Sequence, residues 1–120
     1  MIELECKKVV FYSPADEAAF FAWAESIPAV SSVSGHGGSI LLAVKSRKIS
    51  EASLRELLAL FWRYRISMKQ LAQFQSSSNA SWFRAAEAFW FNWVFSAGRT
   101  SRSRRRRRAR RAERRGVSQT

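Results

Sequence analysis

The arginines near the C-terminus are the residues whose type and spacing point most directly to chemistry. Residues 99–120 hold 11 of the chain's 21 Lys and Arg, every one an Arg, against one acid, Glu113. This segment has a net charge of +10, whereas residues 1–98, with 10 basic and 8 acidic side chains, have +2. Runs of guanidinium groups bind phosphate-rich or acidic surfaces. We expect polyanion contacts from the arginines that follow Ser101, namely Arg102, Arg104, Arg105, Arg106, Arg107, Arg108, Arg110, Arg111, Arg114 and Arg115.

Three interpretations of this Arg-rich tail, residues 98–120, stay open. It can be a solvated, disordered extension, because it has almost no apolar residues to bury. It can bind RNA or DNA, because arginine makes bidentate phosphate contacts and stacks on bases, and Arg-rich segments often fold on RNA. It can also dock on an acidic protein or a lipid surface. We expect a disordered tail that binds RNA or DNA without sequence preference.

Candidates for catalysis and metal binding are few. His36 is the only histidine, so it has no second histidine for a metal site and no placed partner for a Ser-His-Asp triad. Cys6 has no nucleophile motif around it, and Asp16 and Glu17 are neighbours on a predicted helix and point to different sides. We therefore expect no enzymatic activity, no catalytic or metal-binding residue, no cofactor and no small-molecule substrate.

The segment from Ser81 to Phe95 is rich in aromatic residues, with three Trp and four Phe. We expect it to form one helix that docks on the domain, which leaves part of its apolar surface for a partner. The predicted partner interface consists of Trp82, Trp90 and Trp93. Burial within the domain, a homodimer and a membrane surface remain open, and a homodimer is favoured over a membrane because Glu87 and Asn92 interrupt the apolar surface.

The compartment follows from cysteine usage and the N-terminal residues. A single cysteine excludes an intramolecular disulfide. The start of the chain, Met1 to Glu5, has neither the basic nor the apolar region of a signal peptide. We expect a cytoplasmic protein.

The first part of the chain predicts a strand and a helix. Apolar residues alternate with charged ones over 2–7, as in a half-buried strand, and Lys7-Lys8 upsets this phase, so we expect a bulge before residues 9–12. Ser13 followed by Pro14 predicts the start of a helix, which Pro28 ends.

Two more strands and a second helix follow. Residues 29–34 and 39–44 read as strands joined by a Gly-rich turn. The clearest helix has its apolar stripe at Leu54, Leu57, Leu58 and Phe61, and Ser53 has capping-box spacing with Glu56. We expect residues 65–67 to interrupt this helix, with Ser67 capping a short helix through Phe74, and residues 75–79 to form a turn.

The order of elements is β-α-β-β-α-α-α, which predicts an α+β fold: a small antiparallel sheet with helices packed on one face and a ferredoxin-like beginning. The fourth strand of such a sandwich is missing, and the aromatic segment could replace it or cover the open edge. We expect one domain over residues 1–97, including the aromatic helix, followed by the disordered tail.

Several stretches resemble a group of small bacterial proteins of unknown function. They are residues 11–23, 55–64 and 68–74, together with Trp82-Phe83. The resemblance covers about residues 1–95 and implies a bacterial cytoplasmic domain, without an activity to carry over. The Arg-rich tail departs from this group.

These patterns predict a small non-enzymatic interaction or accessory protein whose Arg-rich tail binds nucleic acid non-specifically. The alternative is a peripheral membrane-associated or homo-oligomeric structural protein that uses the aromatic helix 81–95. Exposure of the three indoles discriminates between the two: burial favours the first, and joint display favours the second.

Overall fold

The computed structural model describes residues 1–95, and of His36 only the backbone. The elements are β1 (Ile2–Lys7), α1 (Pro14–Ser26), β2 (Val30–His36), β3 (Ser39–Val44), α2 (Glu51–Arg63), a 3-10 helix (Met68–Phe74), α3 (Ala80–Phe83) and α4 (Phe91–Phe95). The predicted boundary at residue 97 and the Arg-rich tail, with all ten arginines assigned to polyanion binding, lie outside the described residues.

The three strands form one antiparallel sheet in the order β1-β3-β2. β3 lies in the middle, so Leu42 has Leu4 as its partner on one side and Val33 on the other. α1 connects the two outer strands, and a tight turn with Gly37 at φ 58° connects β2 to β3. Glycine adopts this left-handed conformation at little cost. The predicted α+β class and the antiparallel sheet are confirmed.

One face of the sheet carries the core. Leu4, Cys6, Leu42 and Val44 are buried there, while the residues that alternate with them on β1, Glu3, Glu5 and Lys7, are exposed. The buried strand residues form one cluster with the apolar sides of the helices, including the predicted stripe of α2. Helices therefore pack on one face, and the other face carries Glu3, Glu5 and Lys7 of β1 beside the half-buried Leu41 and Ala43 of β3.

The chain leaves β1 by a turn. β1 ends at Lys7, and Lys8 has a left-handed backbone with φ 54°, where the sequence predicts a bulge. Residues 9–12 are irregular: Tyr12 is exposed, whereas the ring of Phe11 packs edge-on against Phe20, with 5.5 Å between the ring centroids.

The N-caps show where sequence rules hold and where tertiary structure overrides them. Ser13 Oγ accepts a hydrogen bond from the Asp16 amide at 3.1 Å, as predicted for α1. For α2 the cap is Ser50, and the prediction of Ser53 is wrong. Ser53 is buried, and its Oγ accepts the Ala29 amide at 3.2 Å, so this hydroxyl connects α2 to the start of β2.

The 3-10 helix lies beside the edge of β1 where a fourth strand would pair. Gln70 reproduces the hydrogen bonds of such a strand: its Oε1 accepts the Glu5 amide at 2.9 Å, and its Nε2 donates to the Glu5 carbonyl at 2.8 Å. Unpaired strand edges recruit other chains, so a covered edge discourages aggregation. α4 packs against the 3-10 helix, and the aromatic segment does not itself replace the strand.

The prediction of one helix over residues 81–95 is wrong. α3 and α4 are separated by turns over residues 84–90. In a continuous helix the Phe83 carbonyl would accept the amide of residue 87. Here Trp90 Nε1 donates to that carbonyl at 2.7 Å. Phe83, on α3, and Trp90 and Val94, on the other side of the break, are all buried in the core.

Candidate functional site

A groove of about 800 Å³ opens between the end of α2, the start of the 3-10 helix and α4. Its walls combine aromatic rings, cationic side chains and a few apolar residues. It is lined by Phe61, Trp62, Arg63, Arg65, Ile66, Ser67, Met68, Lys69 and Trp93. No Asp or Glu belongs to this lining, so the described part of the groove is cationic as well as aromatic.

The periodicity of α2 places two of these residues. Leu57, Leu58 and Phe61 are buried in the core cluster, and successive helix residues rotate by about 100°. Trp62 and Arg63, the next two residues, therefore turn away from the core, and both are exposed. The groove wall is thus the outer side of a helix whose inner side holds the domain together.

The end of α2 is a Schellman motif. The Ile66 amide donates to the Phe61 carbonyl at 2.9 Å, and the Arg65 amide donates to the Trp62 carbonyl at 3.4 Å. Ile66 and Phe61 are both buried in the core cluster, which is the apolar contact that accompanies this motif.

Arg65 occupies the left-handed position of the motif, with φ 59°. Glycine is the usual residue there, and a side chain costs about 1–2 kcal/mol. A cation is therefore held at a strained backbone position beside the groove, and strain of this kind concentrates at functional sites.

The groove ends in a cluster of exposed aromatic rings, which we call the aromatic cluster: Trp62, Phe89 and Trp93. The Trp62 ring centroid lies 5.2 Å from that of Phe89 and 5.7 Å from that of Trp93, both in edge-to-face geometry. The three side chains are 47%, 49% and 58% exposed, respectively. Large aromatic side chains are usually buried, so a contiguous exposed surface of this kind is uncommon.

The cations of the groove have no acidic partner in the described chain. Within residues 1–95 the ion pairs are Lys7–Glu5 at 3.9 Å and Arg55–Glu51 at 2.7 Å, and neither includes Arg63, Arg65 or Lys69. All three groove cations are exposed. Their charges are therefore not neutralised by the domain, and they are available to an anion.

The structure separates the indoles of the predicted partner interface. Trp90 is 8% exposed and lies in the core. Trp82 is half-buried: its ring contacts that of Trp90, and the Arg55 guanidinium lies 4.2 Å from its ring centroid. Trp93 is the most exposed of the three and lines the groove. They are not displayed together, and partner contact by this set stays a prediction.

The sequence alone does not single out Trp62, Arg65 or Lys69. A signal for them exists: Trp62 lies one position off the apolar stripe of α2 and is followed closely by Arg63 and Arg65. A large aromatic outside a buried stripe and next to arginines fits a nucleic-acid surface better than a core. What the sequence does not supply is the approach of Trp93 to Trp62, because the two residues are far apart in the chain.

Two of the residues considered for catalysis, Cys6 and Asp16, are engaged in the structure of the domain. Cys6 is fully buried, and burial, with the charge of Glu5 as a smaller contribution, raises the pKa of its thiol from 9.0 to about 12. A neutral buried thiol is a poor nucleophile. Asp16 accepts hydrogen bonds from the Tyr64 hydroxyl at 3.1 Å and from the Tyr12 amide at 3.0 Å, so its carboxylate is already engaged.

Among residues 1–95, no cluster of His, Cys, Asp and Glu could hold a metal ion. None of the helices in this range has both the length and the apolar character that crossing a membrane requires.

Function therefore has to be argued from the groove and the tail. The resemblance to small bacterial proteins stays a prediction. Comparison of the chain with protein-family models, with curated proteins and with solved structures finds no match.

Proposed function

We propose that this protein is a non-enzymatic accessory protein that binds nucleic acid without sequence preference, mainly through its Arg-rich tail. One observation supports this proposal above the others: the groove, whose cations have no carboxylate partner within residues 1–95, is also lined by Trp93, which is close in sequence to the tail. Trp93 lines the groove, α4 ends at Phe95, and the first arginine of the tail is Arg99. Cations of the domain and the tail can therefore contact the same polyanion.

The expected strength and salt dependence follow from charge. The segment 99–120 has a net charge of +10, against +2 for the rest of the chain. If about six phosphates are contacted, log K falls against log salt with a slope of about −4 to −5. The tail repeats one residue type and offers no pattern for reading base edges, so affinity should vary little with sequence.

Deletion of residues 99–120 tests the proposal. Binding of the full chain and the shortened chain to an RNA and a DNA oligonucleotide is measured over a range of salt concentrations. If the three groove cations then supply the phosphate contacts, the slope should be no steeper than about −3 and the affinity should fall sharply. Unchanged binding after the deletion would contradict the proposal.

A matched control separates charge from guanidinium chemistry. Replacing the ten tail arginines that follow Ser101 with lysine keeps the net charge. If the lysine variant keeps the salt slope and binds more weakly, the arginines make bidentate phosphate contacts, because lysine binds phosphate only as a point charge. Equal affinity indicates that charge alone is responsible.

The aromatic cluster favours one second candidate, peripheral attachment to an anionic membrane. Exposed Trp and Phe rings beside Arg63, Arg65 and Lys69 supply an apolar and an electrostatic anchor. The same cations argue against a homodimer through this surface, because two-fold pairing would bring like charges together. Binding to vesicles with anionic lipid, and not to nucleic acid, would establish this candidate.

A further inference from the structure

We infer that the groove is a stacking site for unpaired bases, so that this protein selects single-stranded over double-stranded nucleic acid. Trp62 and Trp93 stack on bases, and Arg63, Arg65 and Lys69 contact the phosphates beside them. This inference rests on the proposed function and assigns it a substrate class. The tail supplies affinity for any polyanion, and the groove supplies the preference for single strands.

The aromatic rings are placed for stacking. Edge-to-face contact between Trp62 and Trp93, at 69° between the ring planes, leaves the indoles 47% and 58% exposed. Base–aromatic stacking is the main sequence-tolerant interaction of single-strand binding proteins. In a duplex the faces of the bases are covered by their neighbours, so these rings can act only on bases that are unstacked.

The cations complete the site. Arg63 and Arg65 follow Trp62 in sequence, and Lys69 lies in the first turn of the 3-10 helix, which also lines the groove. Single-strand sites combine a positively charged groove that follows the backbone with rings that hold the bases, and this groove has both parts. Its volume of about 800 Å³ lies in the range of about 300–1,000 Å³ typical of ligand pockets.

Arg65 gives an independent reason to expect a ligand. The backbone at this position is left-handed, with φ 59°, and terminates α2 in a motif that glycine fits better. A glycine there would end the helix equally well without lining the groove. The arginine is explained if its guanidinium group has a role in binding.

The other occupants of such a groove fit less well. The chain's own tail, with a net charge of +10, is repelled by three cations that have no carboxylate partner within residues 1–95. A second copy would present the same cations across the interface. An acidic peptide would match the charge of the groove and leave its aromatic rings without stacking partners. Single-stranded nucleic acid supplies phosphates for the cations and bases for the rings.

The test uses the full chain and an oligothymidylate of about 15 nucleotides, a length within known single-strand site sizes. Its duplex with oligodeoxyadenylate is the comparison. Affinities are measured by fluorescence anisotropy at high salt, where phosphate contacts are weakened. We expect tighter binding of the single strand, with quenching of tryptophan emission by the single strand and not by the duplex.

Two pairs of variants assign the effect to residues. Trp93→Ala should weaken single-strand binding by about 5- to 150-fold, the range for loss of one stacked base, and leave duplex binding unchanged. Its control is Tyr12→Ala, which removes an aromatic ring that is 88% exposed and outside the groove lining.

Arg65→Gly should also weaken binding. Its control is Lys8→Gly, since Lys8 is the other cation with a left-handed backbone, at φ 54°, and is outside the lining.

The outcomes separate this inference from the proposed function. If the full chain binds no nucleic acid, both are overturned. If it binds single strand and duplex equally, and Trp93→Ala behaves like Tyr12→Ala, only the stacking site is overturned. Quenching by vesicles of anionic lipid, without quenching by oligothymidylate, would assign the groove to a membrane surface and also overturn the inference. Melting curves of each variant verify that it is folded.

Discussion

Trp90 and Trp93 are three residues apart and have opposite surroundings. Trp90 is 8% exposed, and its Nε1 donates to the Phe83 carbonyl, whereas Trp93 is 58% exposed and lies at the groove. The comparison extends to the two regions they belong to. On the core side, polar groups are paired and side chains are packed. On the groove side, cations lack carboxylate partners within residues 1–95, and aromatic rings are exposed. One of these cations, Arg65, has a strained left-handed backbone.

This difference indicates that the two regions have separate roles. The core side supplies the stability of the domain, since fully burying an apolar side chain contributes about 1.5–3 kcal/mol. The groove side contributes little stability and retains features that a purely structural surface would lose. The predictions below test this division from the largest expected effect to the smallest.

The largest effect concerns the two tryptophans. Trp90→Ala should lower the free energy of unfolding by about 3–5 kcal/mol, because it leaves a cavity and removes the donor to the Phe83 carbonyl. Trp93→Ala should change it by less than about 1 kcal/mol, because the side chain is exposed. Urea unfolding of the two variants measures the difference. Leu58→Ala, in the buried stripe of α2, is a positive control at about 2–5 kcal/mol.

Equal losses for the two tryptophan variants would contradict the comparison, because they would place Trp93 in the core. Trp90→Phe sharpens the test. It keeps most of the apolar volume and leaves the Phe83 carbonyl without its donor. An intermediate loss is therefore expected, which separates packing from hydrogen bonding.

The second effect is a pH dependence of the core side. The folded protein raises the pKa of the Cys6 thiol from 9.0 to about 12, so the native state retains this proton longer than the unfolded chain does. Stability is therefore independent of this group below pH 9 and falls as pH rises from 9 to 12. The slope attributable to it approaches about 1.4 kcal/mol per pH unit.

Cys6→Ala isolates this contribution from other groups that titrate in the same range. The variant should be less stable than the wild type at neutral pH, because it removes buried volume. Its stability should decline less steeply above pH 9, so the two curves should converge. Parallel curves would show that the thiol is accessible to solvent in the folded state.

The third effect tests the element that joins the two regions. The 3-10 helix carries Leu71 in the core and Lys69 in the groove, and Gln70 fastens it to β1. Gln70→Ala should cost about 1–3 kcal/mol, because the Glu5 amide and carbonyl lose their partners. It should also increase self-association, because the edge of β1 becomes free to pair. Thermal unfolding and sedimentation measure the two results, and Gln73→Ala on the same helix is the control.

The sequence predicts the elements better than it predicts the site. The alternation over β1 and the stripe of α2 identify their buried sides directly, because each pattern is set by local geometry and one core. Ser13 is correctly identified as a cap for the same reason. Ser53 is not, because its hydroxyl is used by Ala29 of a distant segment, which no local pattern encodes.

The site escapes prediction for a related reason. Local pattern favours one helix over residues 81–95, and the tertiary bond from Trp90 Nε1 to the Phe83 carbonyl breaks it. In the folded chain, which has this break, Trp93 lies 5.7 Å from Trp62, measured between ring centroids. The groove thus depends on contacts between residues about 30 positions apart in the chain, and periodicity carries no information about them.

The smallest effect gives the sharpest test of the division between core and groove. Arg65→Gly should raise the free energy of unfolding by about 0.5–1 kcal/mol. Glycine removes the left-handed strain, which stabilises the fold, and it increases the entropy of the unfolded chain, which offsets part of that stabilisation. Lys8→Gly should stabilise by a similar amount, since its backbone has nearly the same φ. Only Arg65→Gly should also weaken binding of oligothymidylate. A substitution that stabilises the fold while it impairs binding would show that Arg65 is retained for the ligand and not for the domain. If both variants stabilise the protein and neither changes binding, the strain at Arg65 has no function in the groove.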